Sequence, residues 1–210
     1  MFDALILDVD GTIWNTTPIV ANAWNEAIAL SGLPAKTVNA DMLKKEFGKT
    51  MDVIADDLWP ELDASQKEKL MSLCCTQEQQ ALLQNTQDIT FAGVVDTIKS
   101  LSRQIGVFIV SNCQEGYIEL TMEKTGLTSC ITDYECFGRT GKGKADNLRL
   151  LIDRNKIKCP VYVGDTQGDA DACAQAGVPF VWAEYGFGTT ESCYAKINAF
   201  SELEKILKEH

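Results

Sequence analysis

The sequence predicts an α/β domain: a parallel sheet with helices on both faces, interrupted by a helical insertion. Three observations carry this. From about residue 90 onward, short apolar runs alternate with segments of helical period, the rhythm of strand–helix–strand units. Those apolar runs are continuous, as strands buried on both faces require. One further run of this kind, within "DALILDVD" (Asp3 to Asp10), stands apart from the rest behind roughly 80 residues of mostly helical pattern.

The elements follow in order. "DALILDVD" opens as a buried strand that ends in carboxylates. Thr16 and Thr17 before Pro18 make a plausible cap with Pro in the first helical turn, and the pattern runs through "IVANAWNEAIALSG" to a stop at Gly32. Asn39 is placed to cap "ADMLKKEF", and either Asp63 or Ser65 to start the long segment through "EKLMSLCCTQEQQALLQ". No convincing strand lies between residues 18 and 85. Then come a helix in "AGVVDTIKSLSR", a strand in "IGVFIVSN", and a helix in "EGYIELTMEKTG" that stops at Gly126. A short strand near "TDYEC" precedes a helix over "KADNLRLLIDRN". "CPVYVGD" reads as a strand, "GDADACAQAG" as a helix, "VPFVWA" as a strand and "SELEKILKE" as a closing helix.

Composition bounds what such a domain does. At 210 residues and 45% apolar, the chain can bury a sizeable core. Its formal net charge of -11 repels nucleic acid and anionic membranes, so neither is expected as a partner. No run of about 18 apolar residues is present to span a bilayer. The chain opens directly into a strand pattern rather than a leader, and its eight cysteines are scattered without a C-x-x-C pair. A cytoplasmic protein with reduced thiols is expected, with every cysteine a small core residue. The single histidine is the last residue, His210, which removes Ser-His, Cys-His and His-ligated zinc chemistry. Carboxylates, Lys, Ser/Thr and a hard metal ion remain.

In parallel α/β sheets ligands bind beyond the carboxyl ends of the strands. The first strand ends at Asp8, Asp10, Gly11 and Thr12, the next at Ser111 and Asn112. The third runs into a loop with Lys142 and Lys144, and the fourth ends at Asp165, with Asp169 beyond it. Asp8 and Asp10 are two apart and can point the same way, and Gly11 lets backbone amides approach a ligand. Clustered carboxylates repel one another unless a cation is present, and Mg²⁺ suits oxygen ligands beside a phosphate. The stretch "GRTGKGKA" (Gly138 to Ala145) almost matches a P-loop, but Ala145 stands where the metal-binding Ser or Thr belongs. Lys144, at the start of a helix, is better read as holding a phosphoryl group. Lys142 competes for that role.

These residues resemble the haloacid dehalogenase superfamily, in its phosphatase branch. D-x-D-G-T matches Asp8 to Thr12, the apolar strand ending in Ser-Asn matches Ser111-Asn112, Lys144 opens a helix, and G-D-x-x-x-D matches Gly164 to Asp169. "AQAGVPFVWAEYGFG" after them is also family-like. The resemblance implies a Rossmann-like core over residues 1–14 and 86–210 and a helical cap over 15–85. It implies Asp8 as nucleophile and Asp10 as acid, then base, with Gly11, Ser111, Asn112 and Lys144 around the phosphate. Mg²⁺ would be bound by the Asp8 carboxylate, the Asp10 backbone carbonyl and Asp165, with Asp169 in support, directly or through water. The implied reaction is hydrolysis of a small phosphorylated metabolite through an aspartyl-phosphate, by a monomer or small homo-oligomer.

Alternatives stay open. An acid at Asp10 decides against dehalogenase chemistry. A sugar phosphomutase resembles "D-T-x-x-x-H" after the first motif, and Val20 stands at the matching position. A phosphate-ligand-binding protein that lost turnover is the rival from another class. Many relatives have Asp where this chain has Asn15. The tail resembles phosphoglycolate phosphatases. Trp14, Trp24 and Trp59 are as readily cap core as substrate contacts.

Overall fold

The structure is a computed structural model that describes residues 2–208; His210 lies outside the described residues. Six strands, β1 (Ala4–Leu7), β2 (Gly106–Ser111), β3 (Asp133–Cys136), β4 (Pro160–Gly164), β5 (Phe180–Ala183) and β6 (Ala195–Ile197), form one sheet in the order β3-β2-β1-β4-β5-β6. Every pairing is parallel. Helices α1 (Thr17–Ser31), α2 (Ala40–Glu46), α3 (Met51–Leu58) and α4 (Ala64–Gln84) lie between β1 and β2 in sequence, followed by α5 (Val94–Leu101) just before β2. Beyond β2 come α6 (Tyr117–Thr125), the single turn α7 (Phe137–Thr140), α8 (Lys144–Asn155), α9 (Gln167–Ala176), a 3₁₀ turn (Phe200–Glu202) and α10 (Leu203–Lys208).

The strand alternation sorts the apolar residues onto two faces. Leu5 and Leu7 pack with Val107, Ile109, Val161 and Val163 in one cluster, which also takes in Ile98 of α5, Ile118 of α6 and Leu203 of α10. Ala4 and Ile6 pack with Phe108, Val110 and Tyr162 in another, under Leu148 and Leu151 of α8 and Cys173 of α9. Both faces are covered, so β1 is apolar throughout. Burying each of its larger side chains stabilises the fold by about 1.5–3 kcal/mol. Because the chain leaves β1 toward β2 and later returns to β4 on its other side, the carboxyl end of β1 sits at the crevice where the strand order reverses.

The four insertion helices close around a separate cluster that includes Val20, Trp24, Ile54, Trp59, Leu70 and Cys74. Trp24 and Trp59 therefore belong to the insertion's core, while Trp14 joins the sheet cluster. The two crossings of the chain into and out of this segment lie side by side, with Asn15 N donating to Ile89 O at 2.9 Å.

Most start and stop signals act where the sequence places them. Asn39 caps α2 through a bond from Met42 N at 2.9 Å. Asp63, rather than Ser65, starts α4 in a reciprocal capping box with Gln66. Gly32 and Gly126 end α1 and α6. Thr16 does sit at the start of α1, but its hydroxyl makes no cap there. The Thr17 backbone and hydroxyl bond to Asn15 Oδ1 instead. α3, α7 and β6 have no counterpart in the sequence reading; β6 is three residues at the sheet edge, too short for a period. The cysteines depart from a uniformly buried set. Cys74, Cys113, Cys136 and Cys173 are buried, but Cys159 and Cys193 are exposed. Both of these lie in loops, where no apolar face is available. Among the described residues, no helix is long and apolar enough to cross a membrane.

Candidate active site

Asp8 is the residue after β1, and its backbone N–H extends the ladder to Val163 O at 2.9 Å. The side chain is buried beneath the crevice. Lys144, the first residue of α8, reaches in from the opposite side and is itself buried. Its Nζ donates to Asp8 Oδ1 at 3.0 Å and to Asp169 Oδ1 at 2.5 Å. Ser111, at the end of β2, lies beside Asp8, and its hydroxyl helps to hold that carboxyl down. Lys142 is exposed, and its backbone is tied to Thr140 and Asn147. The helix that begins at Lys144 aims that lysine, not its neighbour, at the strand ends.

Asp165 follows β4, and its Oδ2 accepts from Phe187 N at 2.7 Å. Its Oδ1 is buried with no hydrogen-bond partner. Gly11 turns the chain against this carboxylate with φ 76, and a Cβ there would collide with Asp165. Asp169 is fully engaged. Oδ2 accepts from Thr166 N and Oγ1 at 3.0 and 2.7 Å, and Oδ1 takes Lys144. Tyr162 OH lies 3.2 Å from Oδ1.

Oxygens of Asp8, Asp165 and Asp169 lie within 4.8 Å of one another, all three residues buried. Three carboxylates face one ammonium, so the cluster carries excess negative charge in a dry place. Burial raises the Asp8 carboxyl above its ordinary value against the pull of Lys144. Burial, then the charges of Asp169 and Asp8, push Asp165 well up. Asp169 goes the other way: burial alone would raise it, but Lys144 and the Thr166 bonds hold it below the usual range. Burial alone would lower Lys144, yet Asp169 and Asp8 outweigh it and keep the ammonium charged. The close pair is therefore Lys144–Asp169, which leaves Asp8 and Asp165 under-compensated. An orphaned buried oxygen, hard donors and surplus negative charge fit a hard divalent cation.

Asp10 sits at the mouth, half-buried. Its Oδ1 accepts from Tyr117 OH at 2.8 Å and from Thr16 Oγ1 at 2.9 Å. Loss of water around it pushes this carboxyl up to about 7, opposed by the Tyr117 bond and aided by the charge of Asp8. Asn112 turns its amide toward the insertion, Nδ2 donating to Gly48 O at 2.8 Å, and its buried Oδ1 has no partner. Gln114 makes a second bridge, Nε2 to Glu78 Oε1 at 2.8 Å. Between these bridges lies a cleft lined by Asp8, Asp10, Trp24, Phe47, Glu78 and Tyr117 among others, with ≈ 30 Å³ of free space.

Tyr117, Thr16, Gln114 and Glu78 are the site residues that sequence reasoning missed. Glu78 stands among the polar residues of "TQEQQ", with no local mark to set it apart, yet it is buried. Burial raises its carboxyl from 4.5 to about 7, against bonds from Gln114 and Trp24. A folded value above the unfolded one stabilises most below about pH 4.5, and that contribution is lost as pH climbs through 7. Between pH 5 and 8 the native protein is therefore expected to lose about 2–3 kcal/mol more stability than Glu78→Gln. Thermal unfolding of both at the two pH values checks this; parallel losses would remove the assignment.

Comparison with known proteins gives concordant matches. A family model described as haloacid dehalogenase-like hydrolase matches residues 5–183. A phosphoglycolate phosphatase of Xanthomonas campestris pv. campestris is 28% identical over 190 residues, 88% of this chain and 84% of that one. A haloacid dehalogenase-like family hydrolase from Streptococcus pneumoniae superposes with TM-score 0.80 at 14% identity, covering 100% of this chain and 99% of that chain. CbbY from Rhodobacter sphaeroides, solved in complex with xylulose-(1,5)bisphosphate, superposes with TM-score 0.82 at 16% identity, covering 97% and 96%.

Proposed function

Because the chain belongs to the haloacid dehalogenase-like hydrolases, we propose that it is a phosphatase that hydrolyses small phosphate monoesters through a phosphorylated Asp8. The observation that carries this is the placing of a buried Asp8 against Lys144 and Ser111, with Asp10 two residues on at the mouth. The Asp8 oxygen attacks phosphorus as the bond to the leaving alcohol breaks. That alcohol oxygen takes the proton held by Asp10, whose carboxyl is pushed up to about 7, so that it can both hold and release a proton near neutral pH. Asp10, now a carboxylate, takes a proton from the water that cleaves the Asp8 phosphate, releasing phosphate and restoring both groups. Tyr117 and Thr16 hold Asp10 in place throughout. Lys144 and Ser111 hold the phosphoryl oxygens, with the Gly11 turn completing the phosphate pocket; Asn112, whose Nδ2 is committed to Gly48 O, contributes through its backbone.

The Asp8 carboxylate, the Asp10 backbone carbonyl and Asp165 would hold Mg²⁺, and Asp169 supports them by fixing Lys144 and the Asp165 loop. When bound, Mg²⁺ supplies the positive charge that lets carboxylates and a phosphate share one small space. Residues 15–85 serve as a cap over the site, and the rest as its core, supported by their separate apolar clusters. A cytoplasmic setting, where thiols stay reduced, is part of this proposal.

The test is phosphate release from p-nitrophenyl phosphate. Dialysis against excess chelator is expected to cut it at least tenfold, roughly, and added Mg²⁺ to restore it. Full activity in chelator would overturn the metal assignment. Absence of release from any phosphate monoester would overturn the phosphatase reading itself.

A further inference from the structure

Glu78 comes from α4 of the insertion, not from the sheet, yet it lines the same cleft as Asp8 and Asp10. Its charge is felt at Asp10. It is buried, and it accepts from two neutral donors: Trp24 Nε1 to Oε2 at 2.8 Å and Gln114 Nε2 to Oε1 at 2.8 Å. A carboxylate has about four acceptor positions. Two are filled here, so acceptor capacity remains on a buried carboxyl that lines the same cleft as Asp8 and Asp10.

The cations nearby are already committed. Lys144 lies beneath Asp8 and is held by Asp8 and Asp169. Lys49, the cation among the described residues that line the cleft, pairs with Glu46 and Asp57 at 2.7 Å each. No arginine lines the cleft among the described residues. Nothing on the leaving-group side is free to meet a second substrate anion, and Glu78 would repel one in a place with little water to screen it.

We propose that Glu78 selects the leaving group, so that the site takes phosphate monoesters whose alcohol carries hydroxyl or amino donors and excludes those carrying a carboxylate. This rests on the phosphatase reading above and sets the chain apart from the carboxylated ester in its Xanthomonas relative's name. A hydroxyl or ammonium group would complete the acceptor positions that Trp24 and Gln114 leave open. A carboxylate there would oppose Glu78 and find no unpaired cation.

Three esters of nearly equal size test this: 2-hydroxyethyl phosphate, 2-aminoethyl phosphate and 2-phosphoglycolate. They are assayed on the Mg²⁺-supplemented full chain at pH 8, where Glu78, raised to about 7, is mostly ionised. The better of the first two is expected to exceed phosphoglycolate in kcat/KM by about 30-fold or more. Which of the two leads tells whether a neutral or a cationic donor is preferred. Glu78→Gln is expected to shrink the ratio to about threefold, because the amide is uncharged. Phosphoglycolate turned over as well as the others by the native protein would overturn the proposal, whatever the variant does. So would a folded Glu78→Gln that keeps the native ratio. If the native protein releases phosphate from none of the three and none from p-nitrophenyl phosphate, the phosphatase reading falls and this inference with it.

Discussion

Asp8→Asn is expected to abolish turnover of every phosphate monoester, by at least about 1,000-fold in kcat, while the fold survives. An amide has no anionic oxygen to attack phosphorus, so no covalent intermediate forms. The structure shows why the fold tolerates the change. Lys144 keeps its closer partner, Asp169 at 2.5 Å, and the new side chain still offers an oxygen where Asp8 Oδ1 stood 3.0 Å from Nζ. Asn also removes one charge from an over-negative cluster. Kinetics with p-nitrophenyl phosphate and a thermal unfolding curve check both halves. Residual turnover within tenfold of native would sink the covalent mechanism.

If Lys144 holds the transferring phosphoryl group as proposed, Lys144→Ala is expected to lower kcat/KM by about 100-fold or more for all monoesters, through loss of a charge-assisted contact. It also strands Asp8 and Asp169 in a buried place without their cation, at about 3–5 kcal/mol of stability. Kinetics taken well below the lowered unfolding midpoint separate the two effects. Lys142→Ala, by contrast, is expected to leave kcat/KM within about threefold, because an exposed surface charge contributes little. A damaging Lys142→Ala beside a harmless Lys144→Ala would transfer the phosphate-holding role to the other lysine.

The sheet was legible because β1, β2 and β4 are apolar on both faces, and their continuous runs cannot be mistaken for half-exposed strands. The strand-end residues were legible for a related reason. A parallel sheet puts every carboxyl end on one rim, so polar residues just past each strand had to converge. That places Asp8, Ser111 and Asp165 without any knowledge of their contacts. Residues that reach the site from elsewhere left no such mark. Tyr117 and Glu78 sit in helical segments whose local pattern says nothing about which partner lies across the cleft. Thr16 fits a cap in sequence and lies at the cap position, yet a carboxylate six residues earlier competes successfully for its hydroxyl. Asp169 illustrates the same limit. Sequence marks it as part of the acidic set, but only the folded contacts show both oxygens committed to Lys144, Thr166 and the Asp165 backbone.

The central position of β1 also orders events during folding. Its register pairs Ala4 with Gly106 on one side and with Pro160 on the other, so the first strand made has no neighbour until much of the chain exists. The helices α1 to α4 are complete well before either partner and have an apolar cluster of their own to collapse around. Local contacts form fast and distant ones slowly. The insertion is therefore expected to assemble before β1 finds either partner, leaving "ALIL", a four-residue apolar strand, unpaired meanwhile. A chain halted before β4 presents β1 with one edge bare, and one halted at Gly164 moves that bare edge out to β4, where β5 later covers it.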